Sequence, residues 1–300
     1  MPSLTYRRMA DIAGWVGLKP HFCEVDSSLL TNTASCVEAC INEQTALVLG
    51  VHPVNGLADI EGLSALTRVR GIPLIFDSVE SVYEVHANRR IGSFGDAEIF
   101  SLGASKLING FEGGYVTTSN PVLVEQLRAH RLGMVDFGSP VVNAPISEVH
   151  AAMALASLQE IDAQISRNRN RYVCYLEGLS ELTGLRILEF SIDHRPGYKN
   201  IMVEVMDGWP LSRDQTVQLL NAEKILARSY YPQPLHTRDM SYPSVVPPLP
   251  VTEKLAKDFI LLPCGEQVSI SDIKKICDLL VFVEGEGFRI SQQLQMKGCS

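Results

Sequence analysis

Three side chains stand where a ligand site would form. Asp77 ends the apolar run PLIF, Ser101 lies near the end of EIFSL, and Lys106 follows in a short loop before Glu112, Gly113 and Gly114. In open α/β sheets, ligands gather at the carboxyl ends of the strands. An acid, a hydroxyl and an amine converging on one crevice suit a cofactor with a basic ring nitrogen, a phosphate and an aldehyde. Pyridoxal phosphate (PLP) carries all three. Its pyridinium calls for a carboxylate and its aldehyde for an amine, and the basicity of a lysine in partly desolvated, cationic surroundings is lowered, which frees the amine to form the Schiff base. Each residue alone has a plainer reading: a surface lysine, a strand-end cap, a glycine turn.

The elements that would position these residues alternate in type. Thr45–Val51 (TALVLGV), Pro73–Phe76, Glu98–Leu102 and Gly114–Thr118 read as strands, and Leu57–Arg70 carries helical spacing up to Gly71. Strands alternating with helices predict an α/β sandwich with a largely parallel sheet. Ser147–Leu182 reads as one long helical stretch with Ser147 as its N-cap. Beyond it the pattern changes. Leu185–Phe190 and Asn200–Val205 read as strands, and Ser212–Glu223, Val251–Asp258 and Ser271–Val283 as helices. This predicts a large domain over 1–170, a small α+β domain over 171–288 and a loose tail over 289–300.

Composition narrows the function. The chain has 300 residues, of which 46% are hydrophobic and 20% charged, with a formal charge of -8. That is the profile of a soluble globular protein. Mild acidity without a basic run argues against nucleic acid as a partner. No apolar stretch is long enough for a bilayer, and the start MPSLTYRRMADIAGW is too polar for a secretory signal. The seven cysteines are scattered. Cys36 and Cys40 share a helix face, but no nearby His or Cys completes a four-ligand metal set. Small buried thiols in a reducing cytoplasm are the expectation.

Longer motifs add specificity. FDSVES (76–81), IGSFGD (91–96), FSLGASK (100–106) and EGG (112–114) occur in that order. They are followed by Asn143 with SEVHAA (147–152), ARSYYPQPLH (227–236) and Leu261-Leu262-Pro263. The set, from Pro2 to about Val283, resembles the DegT/DnrJ/EryC1/StrS family of PLP-dependent sugar aminotransferases. The similarity is closest to the branch that aminates C4 of nucleotide-linked 4-keto-6-deoxy sugars. It implies a type I PLP-dependent aminotransferase fold, with a large mixed-sheet domain and a small C-terminal α+β domain. It also implies glutamate as amino donor and a homodimer with shared active sites.

The resemblance carries roles onto particular residues. Lys106 matches the lysine that joins the cofactor aldehyde and then moves protons, and Asp77 the carboxylate that keeps the ring nitrogen protonated. Ser101 matches a hydroxyl on the cofactor phosphate. Glu80 stands where the family has Gln, His or Glu near the ring hydroxyl, and Tyr6 where an aromatic stacks on the ring. Asn143 matches a phosphate contact given across the dimer interface. His236, with Tyr231 in the same segment, lies on the sugar-nucleotide side.

The pattern also departs from the family. Pro145 replaces a usual Arg or Lys, and Gly103 replaces the close branch's His. The family pattern begins before the PSLTY motif, with a Gly-Thr turn that binds the PLP phosphate at a helix start, whereas this sequence begins at that motif. An N-terminally truncated fold and weak PLP binding are therefore expected. A second reading stands beside the enzyme: a catalytically impaired aminotransferase-like protein or partner subunit. A third, a sugar dehydratase of the same fold, is disfavoured because such relatives carry His in place of Lys106.

Overall fold

The computed structural model describes residues 1–134 and 143–296. The chain divides into two compact units. The first comprises Met1–Ile161, Ser191–Pro196 and Gln233–Thr252; the second comprises Asp162–Phe190, Gly197–Pro232 and Glu253–Ser300. Its elements, in order, are α1 (Met9–Trp15), α2 (Ala34–Glu38), β1 (Val48–Val51), α3 (Ile60–Arg70), β2 (Leu74–Asp77), β3 (Val85–His86), β4 (Arg89–Arg90), β5 (Ala97–Ser101), β6 (Gly114–Thr117), α4 (Pro121–Arg131), α5 (Glu148–Gln159) and α6 (Ile161–Leu179). There follow β7 (Leu185–Ile187), β8 (Ile201–Val205), α7 (Arg213–Ala222), β9 (Arg228–Ser229), α8 (Pro250–Leu255), β10 (Phe259–Leu262) and α9 (Ile270–Met296).

In the first unit the sheet order is β1-β2-β5-β6. β1, β2 and β5 run parallel, with Val51 opposite Asp77 and Asp77 opposite Ile99. β6 is antiparallel to β5, with Ser101 opposite Gly114. β2 thus has a strand on either side, and its last residue, Asp77, sits at the carboxyl edge of the sheet. The apolar alternation produces this placement: Leu74 and Phe76 are 2% and 0% exposed, so β2 enters the core and only its end carries a charge. On the outer side of β1, the buried Thr31 hydroxyl and Asn32 amide donate to the carbonyls of Val51 and Leu49. Strand carbonyls there are satisfied by side chains rather than by another strand. Helix α3 starts where the Asp59 carboxylate accepts the N–H of Gly62. The Asn120 side chain caps α4, ahead of Pro121.

The second unit has an antiparallel sheet of order β7-β8-β10-β9. Its core gathers Tyr175 from α6, Ile201 from β8, Leu220 from α7, Ile260 from β10, and Ile273 and Leu280 from α9. Ser212 and Gln215 close a reciprocal capping box at the start of α7.

The elements differ from the sequence expectation at three places. The stretch read as one helix over Ser147–Leu182 is two, α5 and α6. Glu160 leaves the helical path (φ -94°, ψ 5°), and Ile161 beside it is 3% exposed. Burial of that one apolar side chain competes with helix continuity. Helix α9 runs to Met296, through residues 289–296 that were expected as tail; residues 297–300 lie outside the described residues. The extension has a packing cause. A Cβ at Gly287 would meet the Pro210 ring at 2.1 Å, so the glycine lets the two segments close. Glu284 accepts N–H bonds from Thr183 and Gly184 at 2.9 and 2.8 Å. Finally, the short elements α1, α2, β3 and β4, and the helix α4, carry too few turns or too weak a period to stand out in the sequence. Among the described residues, no helix is long and apolar enough to cross a membrane.

Candidate active site

Asp77, Glu80 and Lys106 come together at the carboxyl edge of the first unit's sheet. The Lys106 ammonium lies 2.5 Å from Glu80 Oε1, and the two side chains are 19% and 17% exposed. Asp77 is 7% exposed. Burial pushes its pKa up from 3.8 to about 6; the Val79 N–H pulls it down, Glu80 raises it further and the Lys106 charge lowers it. The Asp77 carboxylate accepts the Val79 N–H at 3.2 Å, and its backbone carbonyl accepts the N–H of His52 at 3.0 Å.

The Lys106 loop is built by backbone bonds. Leu102 N–H donates to the Gly113 carbonyl and Gly110 N–H to that of Leu102, at 2.9 and 2.8 Å, which closes the loop at its base. Lys106 N–H donates to the Gly103 carbonyl at 2.9 Å, making a tight turn that presents the side chain. The Ser101 hydroxyl accepts the Gly103 N–H at 3.2 Å at the start of this turn. Ser157 of α5 anchors the far side by accepting the Asn109 N–H at 3.0 Å. Gly114 is required by close approach: a Cβ there would lie 2.5 Å from the Phe100 carbonyl oxygen.

His236, singled out from the sequence, is tied elsewhere in the same unit to Ser3, which was not. The Ser3 hydroxyl accepts the His236 N–H at 3.0 Å and lies 2.7 Å from His236 Nδ1. The Ser3 hydroxyl therefore ties both the backbone and the ring of His236. Tyr6 is 49% exposed, three residues from Ser3, and its carbonyl accepts the Met9 N–H. Asn143 is exposed and bridges Leu132 across an antiparallel contact. Tyr231 belongs to the second unit, where its ring lies 4.5 Å from that of Tyr230.

Sequence reasoning missed a buried layer beneath Asp77. Glu98, the second residue of β5, is 0% exposed and accepts the Ser78 hydroxyl at 2.5 Å. It also accepts the N–H groups of Gly92 and Phe94 at 2.8 and 2.6 Å. His52 is stacked on Phe76 with ring centroids 5.2 Å apart, and burial drives its pKa down to about 3. The signal that was available is an acidic residue inside the apolar strand AEIFS, which is costly unless it has partners. The pair Cys36 and Cys40 is half-buried and free, and among the described residues no group of three His, Cys, Asp or Glu is disposed to hold a metal.

The comparison with known proteins decides the family. The model of the DegT/DnrJ/EryC1/StrS aminotransferase family matches residues 1–281. The chain belongs to that family. GDP-perosamine synthase of Caulobacter vibrioides is 26% identical over 284 residues, which make up 92% of this chain and 76% of that protein. The crystal structure of DesI, obtained in the presence of its TDP-sugar product, matches with a TM-score of 0.92 at 30% identity, over 98% of this chain and 76% of that one. DesV of S. venezuelae, in complex with a ketimine intermediate, matches with a TM-score of 0.80 at 26% identity, over 95% and 77% of the two chains. The expected type I aminotransferase fold, with its mixed sheet, is therefore the fold of this chain, and the family's enzymes are PLP-dependent.

The donor set suits that cofactor. A nearly buried carboxylate with one backbone partner, Asp77, has room for a ring N–H, and a cation there would relieve the burial that raises its pKa. Lys106 would supply the amine, and Ser101, at the head of the adjoining turn, a hydroxyl.

Proposed function

We propose that this protein is a PLP-dependent aminotransferase that transfers the amino group of glutamate to a nucleotide-linked keto-6-deoxy sugar, in amino-sugar biosynthesis. The observation that carries the reading is the meeting of Lys106 with the buried Asp77 at one sheet edge, in a chain whose relatives include GDP-perosamine synthase and DesI. When bound, PLP supplies an aldehyde that captures amines and a ring that draws off electrons.

The chain's own residues divide the remaining work. Asp77 receives the ring N–H and holds the positive charge there. Lys106 provides the amine and carries protons at Nζ as general acid and base. Glu80 holds the Lys106 ammonium and would bond the ring hydroxyl of the cofactor. Ser101 donates to the phosphate, and Asn143 reaches the phosphate of a partner subunit in a homodimer. Tyr6 would stack on the ring face. His236, tied to Ser3, offers a hydrogen bond to the sugar nucleotide. The compartment we assign is the cytoplasm.

The test is release of 2-oxoglutarate from glutamate by the PLP-loaded protein, with TDP- and GDP-linked 4-keto-6-deoxy sugars offered in turn. Formation of the amino sugar in step with 2-oxoglutarate is expected. No release with any keto-sugar nucleotide, from protein that binds PLP, refutes the substrate class.

A further inference from the structure

A strand-interior carboxylate with no exposure is expensive, and this one is arranged with unusual completeness. Glu98 lies opposite Phe76 in the β2–β5 register, one residue behind Asp77. Oε1 takes two backbone N–H groups from the 92–94 loop, and Oε2 takes the Ser78 hydroxyl. The fourth side is closed by His52, whose Nε2 lies 3.9 Å from Oε2 with both side chains fully buried. His52 Nδ1 accepts the Ala58 N–H at 3.0 Å, so the ring proton is on Nε2. That N–H has no hydrogen-bond partner and faces Glu98. Every donor around the carboxylate thus needs an acceptor.

Ser78 links this layer to the site. Its N–H donates to the Ile99 carbonyl at 3.0 Å and its hydroxyl to Glu98, so the residue after Asp77 is held at two points. His52 holds the Asp77 carbonyl through its own N–H. The turn over 77–79 then aims the Asp77 carboxylate, which takes the Val79 N–H.

We propose that Glu98 is a positioning residue for Asp77: by fixing Ser78 it sets the direction in which the Asp77 carboxylate meets the ring nitrogen of the cofactor. This rests on the role given to Asp77 above. Glu98→Gln puts an amide N–H₂ where an acceptor is needed, against Ser78 and His52 or against the 92–94 amides. Ser78→Ala removes only the link.

The experiment measures dissociation constants, by fluorescence titration, for PLP and for the analogue in which carbon replaces the ring nitrogen. Only PLP gains from a well-aimed Asp77. Wild-type protein is expected to favour PLP. Both variants are expected to lose about tenfold of that preference, the scale of one weakened charge-assisted hydrogen bond. Thermal melts establish that each variant is folded, and Ser78→Ala decides alone if Glu98→Gln is not. A preference equal to wild type, including equal weakening of both ligands, overturns the proposal while leaving Asp77's role standing. A wild-type protein with no preference removes Asp77's role, and this inference with it.

Discussion

At the scale of single residues, the proposed function gives most of the chemistry to two side chains, and each has a distinct signature. In the proposed reaction Lys106 serves chemistry more than packing. Borohydride reduction of the PLP-loaded protein is expected to fix a pyridoxyl group on Lys106, read by peptide mass mapping. Lys106→Ala should abolish that label and lower the transamination rate by about 10³-fold or more, since both the proton carrier and the amine are lost. A label on another lysine contradicts the assignment. Asp77 is placed at a cost. Its folded pKa of about 6 lies above the ordinary 3.8, so the cofactor-free folded state binds the extra proton between those values. Stability from this group is therefore full below about pH 3.8 and falls as pH rises through 6. The rise corresponds to about 3 kcal/mol at neutral pH. Asp77→Asn is expected to melt higher than wild type at pH 7.5, with the gain disappearing near pH 4, when both are measured without cofactor. An unchanged difference across that range would contradict the burial argument. The same substitution should weaken PLP binding, because a neutral amide holds a ring N–H⁺ poorly.

At the scale of elements, the Lys106 loop depends on how β5 and β6 meet. Gly114 has no space for a side chain against the Phe100 carbonyl, which lies 2.5 Å from where a Cβ would stand. Gly114→Ala must therefore shift β6 away from Ser101 and from the base of the loop. The expected loss is about 2–4 kcal/mol in urea unfolding, accompanied by weaker PLP binding. Ser212→Ala provides a contrast in the second unit. It breaks the capping box of α7 and should cost about 1 kcal/mol, with PLP affinity unchanged. The motifs FDSVES and FSLGASK were legible because a strand end followed by polar residues marks a turn. The break at Glu160 was not, because both halves of Ser147–Leu182 keep good helix formers, and the interruption answers to the burial of Ile161. The extent of α9 was not legible either, since glycine is a poor helix former and the contact that favours the helix there, Pro210 against Gly287, is made by distant residues.

At the scale of the whole molecule, the proposed homodimer makes a separate prediction. Asn143 is exposed, and its assigned ligand is the phosphate bound by a partner subunit. Light scattering at micromolar concentration should give twice the mass of one chain, as most closed homo-oligomers are two-fold. If sites are shared, a mixture of Lys106→Ala and Asn143→Ala proteins, unfolded and refolded together, should be more active than either alone. In mixed dimers one of the two sites then retains both residues. A mixture no more active than its parts would place Asn143 outside the partner's site.

By itself the sequence determined the order of the four sheet strands of the first unit and of the helix between the first two, the family, and the identity of Asp77, Ser101 and Lys106 as candidates. These are properties of local spacing: apolar runs, the residues that end them, and motifs in a fixed order. Tertiary structure decided what spacing cannot express. The pairing of Lys106 with Glu80, the depth at which Asp77 is buried, and the tie between Ser3 and His236 join residues 26 to 233 positions apart, or depend on what covers them. Glu98 is the clearest case. In the sequence it is a charge inside an apolar strand. Only the fold supplies the Ser78 hydroxyl and the two loop amides, and without those donors a buried carboxylate would be unfavourable.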